Sequence, residues 1–449
     1  MHGTSTVRQL KDAYCAFIWN KARSATLKEL QLNICALHVI CIWGYIDFLA
    51  KTAISYEQFL IAIIGPGGSG KTFMENQVIR PAIRHFFGDA ADKAVAPNNA
   101  AAKCLGQATT MHLACKYKQS DVVAKREMNQ KLTITKKDEH QVEYAHTVSL
   151  TQDEFAMAVC NLCWNVNVAA TIGRANLLRD QNLLGPDDND INYFTHKYGR
   201  IPWVQFLLDF QQLEPVGGPG IEHHQLKEVA DVRDYKTDTF RMWKLWREID
   251  LCVMLTETSR FKCPLLKNFC EVIRVKGQRI PDELWTAFTS CFLNNDVPED
   301  KREERLRPHV APSEEKMYLA TEWALVSRMQ RTVVLREAAH SGKIVCFCQA
   351  VDRVPTGITK TISEKLVNWQ NATTTGRMVG LLGIYPGMLA RLTQNLCREM
   401  DLVNDTRVTI LDIIVHENEP DYDRDVAAAR GYIMLHYLPT IKVLSLIHI

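Results

Sequence analysis

At 449 residues, the chain has room for roughly two to four domains. Its 47% hydrophobic and 23% charged residues supply ample apolar material for buried cores. A formal net charge of +2 excludes a generally basic nucleic-acid binder, so any DNA path has to be a local groove.

The 14 cysteines are scattered, with Cys160-Asn-Leu-Cys163 the one CxxC pair and no second pair at zinc-ribbon distance. Free thiols and an intracellular setting are therefore expected, with no signal peptide read at the N-terminus.

In chain order, residues 1–57 read as helices, and Thr26-Leu27-Lys28-Glu29 resembles a capping box before an apolar-periodic run. The apolar stretch from Leu32 to Ala50 is interrupted by Asn33, His38 and Asp47, each costly in lipid, so it reads as a helix packed inside the protein rather than a membrane span. Phe59 to Ile64 is a continuous apolar run of strand length, as in a strand buried on both faces of a parallel sheet. The segment after Lys71 has no breaker until Pro81 and reads as a helix. Lys93-Ala-Val-Ala-Pro97 reads as a second strand, and Ala100 to Leu105 as the start of another helix.

Residues 117–143 lack periodicity and read as a mobile connection or insertion. Thr147-Val-Ser-Leu150 is strand-like, 181–200 reads as a surface loop, and Trp203 to Phe210 as a strand. The polar stretch Asn294 to Pro312 reads as a joint between subdomains. Strands alternating with helices argue for an α/β fold with a mainly parallel sheet.

Gly65-Pro-Gly-Gly-Ser-Gly-Lys71-Thr72 matches G-x-x-x-x-G-K-[ST] between a strand and a helix, where a P-loop belongs. Its glycines let backbone N–H groups wrap phosphates, and the helix N-terminus adds the positive end of its dipole. On this reading Gly65, Gly67, Gly68, Ser69, Gly70, Lys71 and Thr72 bind ATP, Lys71 at the β- and γ-phosphates and Thr72 on Mg²⁺. Asp153-Glu154 follows a strand-like run, as a Walker-B pair does, with Asp153 toward Mg²⁺ and Glu154 orienting the attacking water. A solvated helix start is the alternative for that pair. Trp243-Lys-Leu-Trp246-Arg247 interleaves aromatic and basic residues that either stack DNA bases or form a core stripe.

Together these segments resemble a family. The P-loop, Ala94-Val-Ala-Pro97-Asn-Asn-Ala100-Ala-Ala102 and Thr110-Met-His112 resemble the first motifs of superfamily-one 5′-to-3′ DNA helicases of the Pif-one type, including those of rolling-circle transposons. Asp153-Glu154-Phe-Ala-Met157 resembles that family's Asp-Glu-x-Ser-Met, and Asp209-Phe-Gln-Gln212-Leu-Glu-Pro215-Val216 its Gly-Asp-Phe-x-Gln-Leu-Pro-Pro-Val. Leu255-Thr-Glu257-Thr-Ser-Arg260 resembles Leu-Thr-Glu-x-x-Arg. Tyr385-Pro-Gly387-Met388 through Leu392-Thr-Gln-Asn395, with Val403-Asn404, resembles a segment of the second motor domain.

The resemblance implies a P-loop NTPase with RecA-like parallel sheets in two motor domains. It implies ATP and Mg²⁺ as cofactors, and single-stranded DNA and duplex junctions as partners. Lys71, Glu154, Gln212 and Arg260 would be catalytic, Gln212 sensing the γ-phosphate and Arg260 acting as an arginine finger, and Thr72 and Asp153 would hold the metal. His112 would lie near the DNA path, or else in the core. The expected division is a helical segment over 1–49, a first motor domain over 50–260 and a partial second one over 261–443. A nuclear or mitochondrial location is expected, and oligomeric state is open.

Several positions depart from the pattern. The family's adenine-reading glutamine follows Leu-Asn-x-x, but Leu32-Asn33-Ile-Cys is followed by Ala36, leaving weak adenine selectivity or Gln31 as the substitute. Leu208 stands for the motif's glycine, Glu214 for one proline and Ala156 for its serine. The family's last two motifs, Gln-Gly-x-Thr and Tyr-Val-Ala-x-Ser-Arg, do not occur. Leu444-Ser-Leu-Ile-His-Ile449 reads like a translated sequencing adapter, so 444–449 are expected to be a non-native tail on a truncated second domain lacking the strands after Leu438. Such a chain is expected to bind ATP weakly and not to unwind duplex. An inactive relic that binds nucleotide or DNA is the rival reading.

Overall fold

In a computed structural model, the described residues are 2–116, 134–186, 191–215, 218, 220–221, 238–261, 263–275, 277–289, 323–349, 381–393, 396–397, 400, 402 and 406–445. The chain divides into two units, Met1–Arg302 and Glu303–Ile449.

The first unit is built on six strands: β1 (Phe59–Ile64), β2 (Asp92–Ala96), β3 (Thr109–Thr110), β4 (Ser149–Gln152), β5 (Trp203–Leu208) and β6 (Leu251–Met254). All pair in parallel, in the order β3-β2-β4-β5-β1-β6. This is the α/β architecture expected from strands alternating with helices. The unbroken apolar run of β1 follows from its place between β5 and β6. Ile61 and Ile63 face one core and Leu60 and Ala62 the other, all buried. Because every strand runs the same way, their C-terminal ends share one edge, where the connecting loops can meet around a ligand.

Two long helices, α1 (His2–Ser24) and α2 (Glu29–Leu49), cover one face of the sheet. The length and hydropathy of α2 would suit a membrane span, yet its Ile34, Val39, Ile42 and Ile46 are buried in the core with Tyr14 and Ile18 of α1 and Trp203 and Leu207 of β5. His38 is fully buried and bonds the Tyr14 hydroxyl at 2.7 Å. The cap of α2 differs from the sequence reading. Lys28 is the N-cap and Thr26 lies outside with a left-handed φ of 51°, because Gln31 Oε1 takes the Lys28 N–H at 2.9 Å.

After the P-loop, α3 runs over 71–87, past the Pro81 expected to end it. Glu75–Ile79 forms a π-turn just before Arg80–Phe87, with Pro81 in that segment's first turn. A proline is tolerated there because the ladder has already been re-registered. Arg80 and Arg84 both reach Asp92 of β2, Arg80 Nε at 3.0 Å, a buried pair that staples α3 to the sheet. Next comes α4 (Asn99–Cys104), capped by Asn98 accepting from the Ala101 N–H at 2.9 Å.

Two expected loops are partly structured. Residues 117–133 lie outside the described set, but 134–143 belong to α5 (Ile134–Tyr144), which packs on α6 (Cys160–Gly173) so closely that Gly173 has no room for a Cβ against His140. Residues 191–200 are not wholly a surface loop: Asn192 and Thr195 are exposed, but the segment ends as a strap in which His196, Tyr198 and Gly199 are buried. Buried polar groups of α6 satisfy the strap's backbone: Asn167 Oδ1 takes the Tyr198 N–H at 2.6 Å, and Arg174 donates to the Gly199 carbonyl at 2.8 Å. Helix α6 carries Cys160 and Cys163, whose thiols burial pushes up. No group of three or more metal-binding side chains occurs among the described residues. The unit also holds the helices α7 (Asp238–Trp246) and α8 (Pro264–Ile273). Trp246 packs against Phe155, Phe206 and Phe210 and so joins the core with Leu245, whereas Lys244 and Arg247 are exposed and Trp243 lies against Phe240 and Arg247.

The second unit has two three-stranded sheets. One joins β7 (Val345–Gln349), β8 (Leu381–Ile384) and β11 (Tyr432–Leu435), and the other β9 (Leu389–Arg391), β10 (Arg407–Ile414) and β12 (Thr440–Ser445). Two helices, α9 (Trp323–His340) and α10 (Arg424–Arg430), belong to it. Tyr385-Pro-Gly387-Met388 is the turn from β8 to β9, with Gly387 at φ 93°. Contrary to expectation, a strand does follow Leu438. Leu444 and Ser445 pair with Thr409 and Val408, since the alternating Thr440-Ile-Lys-Val-Leu pattern suits a strand. Residues 446–449, Asn395, Asn404 and 294–312 lie outside the described residues.

Glu75 is fully buried beneath the P-loop helix, accepting from Gln205 and, at 3.4 Å, from the Thr151 hydroxyl. Burial pushes its carboxyl up to about 8. A raised carboxyl contributes stability that is complete below its unfolded value and is lost as pH rises through the folded one. Relative to Glu75→Gln, the parent chain should therefore lose stability between pH 5 and 8, by up to ~1.4 kcal/mol per pH unit. Thermal denaturation of both proteins across that window checks this, and parallel curves would show that Glu75 is not held neutral.

Candidate nucleotide site

Four adjacent strands, β4, β5, β1 and β6, deliver the sequence-singled residues to the C-terminal edge of the sheet. From β1 the chain enters the P-loop, where Gly68 and Gly70 take φ values of 84° and 86° that a side chain rarely adopts. At Gly65 a Cβ would stand 2.7 Å from the Leu255 carbonyl, and at Gly70 it would strike the Gln31 amide. These glycines are needed both for the turn and for the close neighbours around it.

Lys71 opens α3 and folds back into the loop, donating to the Gly65 carbonyl at 2.6 Å and the Pro66 carbonyl at 3.3 Å. Its side chain is buried, which lowers its pKa, while Asp209, Glu154 and Asp153 pull the other way. Thr72 donates its hydroxyl to Asp153 Oδ2 at 3.0 Å. A hydroxyl and a carboxylate side by side are hard oxygen donors of the kind Mg²⁺ takes.

Beyond β4, Asp153 is nearly buried and Glu154 is held at φ 49°, its own N–H bonded to Asp153 Oδ1 at 2.8 Å. A left-handed glutamate is strained, and the strain turns its carboxyl toward the P-loop side. Burial raises both carboxyls, and for Glu154 the neighbouring Asp153 adds to it. Gln212, in the turn after β5, lies beside the Glu154 side chain and favours its charged form, and its own buried Oε1 has no hydrogen-bond partner.

After β6, the segment 255–260 lies on the P-loop. Thr258 donates to the Gly67 carbonyl at 3.0 Å, and the Ser259 N–H to the Gly68 carbonyl at 3.0 Å. This holds Arg260 over the glycines, its guanidinium 3.0 Å from where a Gly67 Cβ would stand. Arg260, Thr72, Asp153, Glu154 and Asn98 line one cavity of about 520 Å³. Lys71, Thr72, Asp153, Glu154, Gln212 and Arg260 thus come together. His112 stands apart from this set, half-buried on Met111–Ala114, with its pKa lowered by burial.

Two residues were missed or only glimpsed in the sequence. Gln31 is buried at the start of α2 and donates to the P-loop carbonyls of Gly70 at 3.2 Å and Ser69 at 3.4 Å. It lines a second cavity of about 210 Å³ with Lys28, Leu30, Leu255, Thr256 and Glu257, across which Lys28 and Glu257 form an ion pair. The signal was Leu27 followed four residues later by Gln31, the family's spacing five residues ahead of Leu32-Asn33, with Lys28 replacing asparagine. The other is Arg274, the C-cap of α8, which donates to Asp209 Oδ1 at 2.6 Å. No motif flags it.

A parallel sheet carrying a P-loop after its buried strand β1 and an acidic pair after β4 defines the P-loop NTPase class of α/β fold. No family model and no curated protein matches the chain. Solved structures similar to it include the Pif1 helicase from Candida albicans, at 17% identity over 94% of this chain and 76% of that one, with a TM-score of 0.47. A structure of two coordinating Pif1 helicases at forked double-stranded DNA has 13% identity, 88% and 72% coverage and a TM-score of 0.47. Bacteroides Pif1 bound to single-stranded DNA has 14% identity, 81% and 67% coverage and a TM-score of 0.43.

Gly68→Ala places a Cβ on that of Arg260 and 2.9 Å from the Thr258 hydroxyl, in a backbone conformation alanine resists. A loss of about 1–3 kcal/mol is expected. Thermal denaturation would register it, and an unchanged Tm would mean that the 258–260 segment yields freely.

Proposed function

We propose that the chain is an ATP-driven motor of the superfamily-one DNA-helicase kind, coupling ATP hydrolysis to 5′-to-3′ movement on single-stranded DNA at duplex junctions. The supporting observation is that residues from motifs spread between 65 and 260 meet at one sheet edge in the roles their order implies. Lys71, now bonded to two loop carbonyls, carries the positive charge for the β- and γ-phosphates. Thr72 and Asp153 would hold Mg²⁺, which supplies charge neutralisation across those phosphates when bound. Glu154, held by Gln212, takes the proton of the attacking water, and Arg260 offsets charge on the transferring group. Gln31 lines the smaller cavity, and its amide, bonded here to the Lys28 N–H and the Ser69 and Gly70 carbonyls, would turn to the edge of a base, with adenine the expected nucleobase.

Lys71→Ala should abolish ATP binding, read by titration calorimetry, because no other buried cation sits inside the loop. Glu154→Gln should keep binding while hydrolysis falls steeply. Because the Glu154 carboxyl is raised and must be ionised to accept a proton, the hydrolysis rate should climb as pH rises through that value. A rate that is flat across the acidic range would remove Glu154 from the role. Little or no strand displacement is expected of a chain without the Gln-Gly-x-Thr and Tyr-Val-Ala-x-Ser-Arg motifs; any that occurs should require a 5′ single-stranded tail, and equal unwinding of 3′-tailed duplex would contradict the direction.

A further inference from the structure

Three carboxylates, Asp153, Glu154 and Asp209, crowd the interior end of the P-loop. The mechanism above uses two of them and leaves Asp209 and its partner Arg274 without a role. Asp209 ends β5 and is 3% exposed. Its Oδ1 accepts the Gln211 N–H at 3.1 Å as well as the Arg274 guanidinium at 2.6 Å, and its carbonyl takes the Gln212 N–H at 3.2 Å. The contact is returned, because the Gln211 side-chain amide donates to the Arg274 carbonyl. The turn 209–212 is therefore clasped from both sides by the C-cap of α8. That turn carries Gln212, whose side chain lies beside Glu154 with its buried Oε1 unpartnered.

We propose that Arg274 is a positioning residue for hydrolysis: by pairing with Asp209 it fixes the 209–212 turn, keeps Gln212 on Glu154, and leaves Lys71 free of Asp209. Asp209 and Lys71 attract each other through space, and Arg274 opposes that attraction. Without the guanidinium, a buried Asp209 still attracts Lys71, and a lysine drawn to Asp209 is pulled from the phosphate position. Arg274 also begins only fourteen residues after Arg260, in the same segment beyond β6, so movement of that segment bears on both the charge-offsetting arginine and the water-orienting turn. This rests on the ATPase reading above.

The clasp is read first without nucleotide, by hydrogen–deuterium exchange of the full chain. Arg274→Ala should speed exchange at the Gln211 and Gln212 amides at least tenfold, and Arg274→Lys, which keeps one donor, should speed it less. Unchanged exchange would overturn the clasp whatever the chain does with ATP. Hydrolysis is then measured. Arg274→Ala should lower kcat at least tenfold with KM changed under threefold, Arg274→Lys should recover part of the loss, and Arg274→Ala combined with Gln212→Ala should be no slower than the worse single variant. A parent-like kcat in Arg274→Ala, or losses that multiply in the double variant, would refute a shared path through Gln212. Failure of the ATPase reading has a separate signature: the parent would hydrolyse ATP no faster than Lys71→Ala, with the exchange result intact.

Discussion

A buried lysine with no direct carboxylate partner is the constraint around which the first unit is organised. Burial alone would drive the Lys71 ammonium toward neutrality, and two backbone carbonyls are weak compensation for a lost hydration shell. Asp153, Glu154 and Asp209 keep it charged from a distance. Burial raises the carboxyls of Asp153 and Glu154 in turn, and the Asp153 charge adds to the effect on Glu154. The arrangement is a cation waiting in a cradle of amides, with acids close enough to hold it and too far to neutralise it. A polyphosphate that displaces the two carbonyls supplies the missing counter-charge.

The parallel sheet makes that arrangement possible. Strands β4, β5, β1 and β6 lie side by side, so four loops distant in sequence open onto one edge. Their residues are then fixed by backbone devices rather than by long side-chain reach: the left-handed Glu154, the turn closed by Asp209, and the hydroxyls of Thr258 and Ser259 on the Gly67 and Gly68 carbonyls. The link from Gln31 to the same loop ties helix α2, and with it one whole face of the core, to the P-loop.

Local signals made much of this legible. The run 59–64, ended by glycines, could only be a doubly buried strand, and the glycine spacing of the P-loop has a steric reason at nearly every position. Where the sequence misled, tertiary packing had overridden a local cue. Residues 191–200 look polar and loop-like, yet Asn167, Thr171 and Arg174 of the neighbouring helix segment satisfy the backbone of 196–199 and let His196, Tyr198 and Gly199 be buried. Pro81 looks like a stop until a π-turn precedes it. Gln31 was obscured because Lys28 stands where the pattern has asparagine, while a Leu-Asn pair occurs five residues on. Arg274 had no pattern at all, because its meaning comes from Asp209, sixty-five residues earlier.

The most direct test is a structure of the chain with Mg²⁺ and a non-hydrolysable ATP analogue. The account predicts the Lys71 ammonium moved from the Gly65 and Pro66 carbonyls to the β- and γ-phosphates, the metal beside Thr72 and Asp153, the terminal phosphate within reach of Arg260, and the base against Gln31. A nucleotide bound elsewhere, with Lys71 still on the two carbonyls, would contradict it.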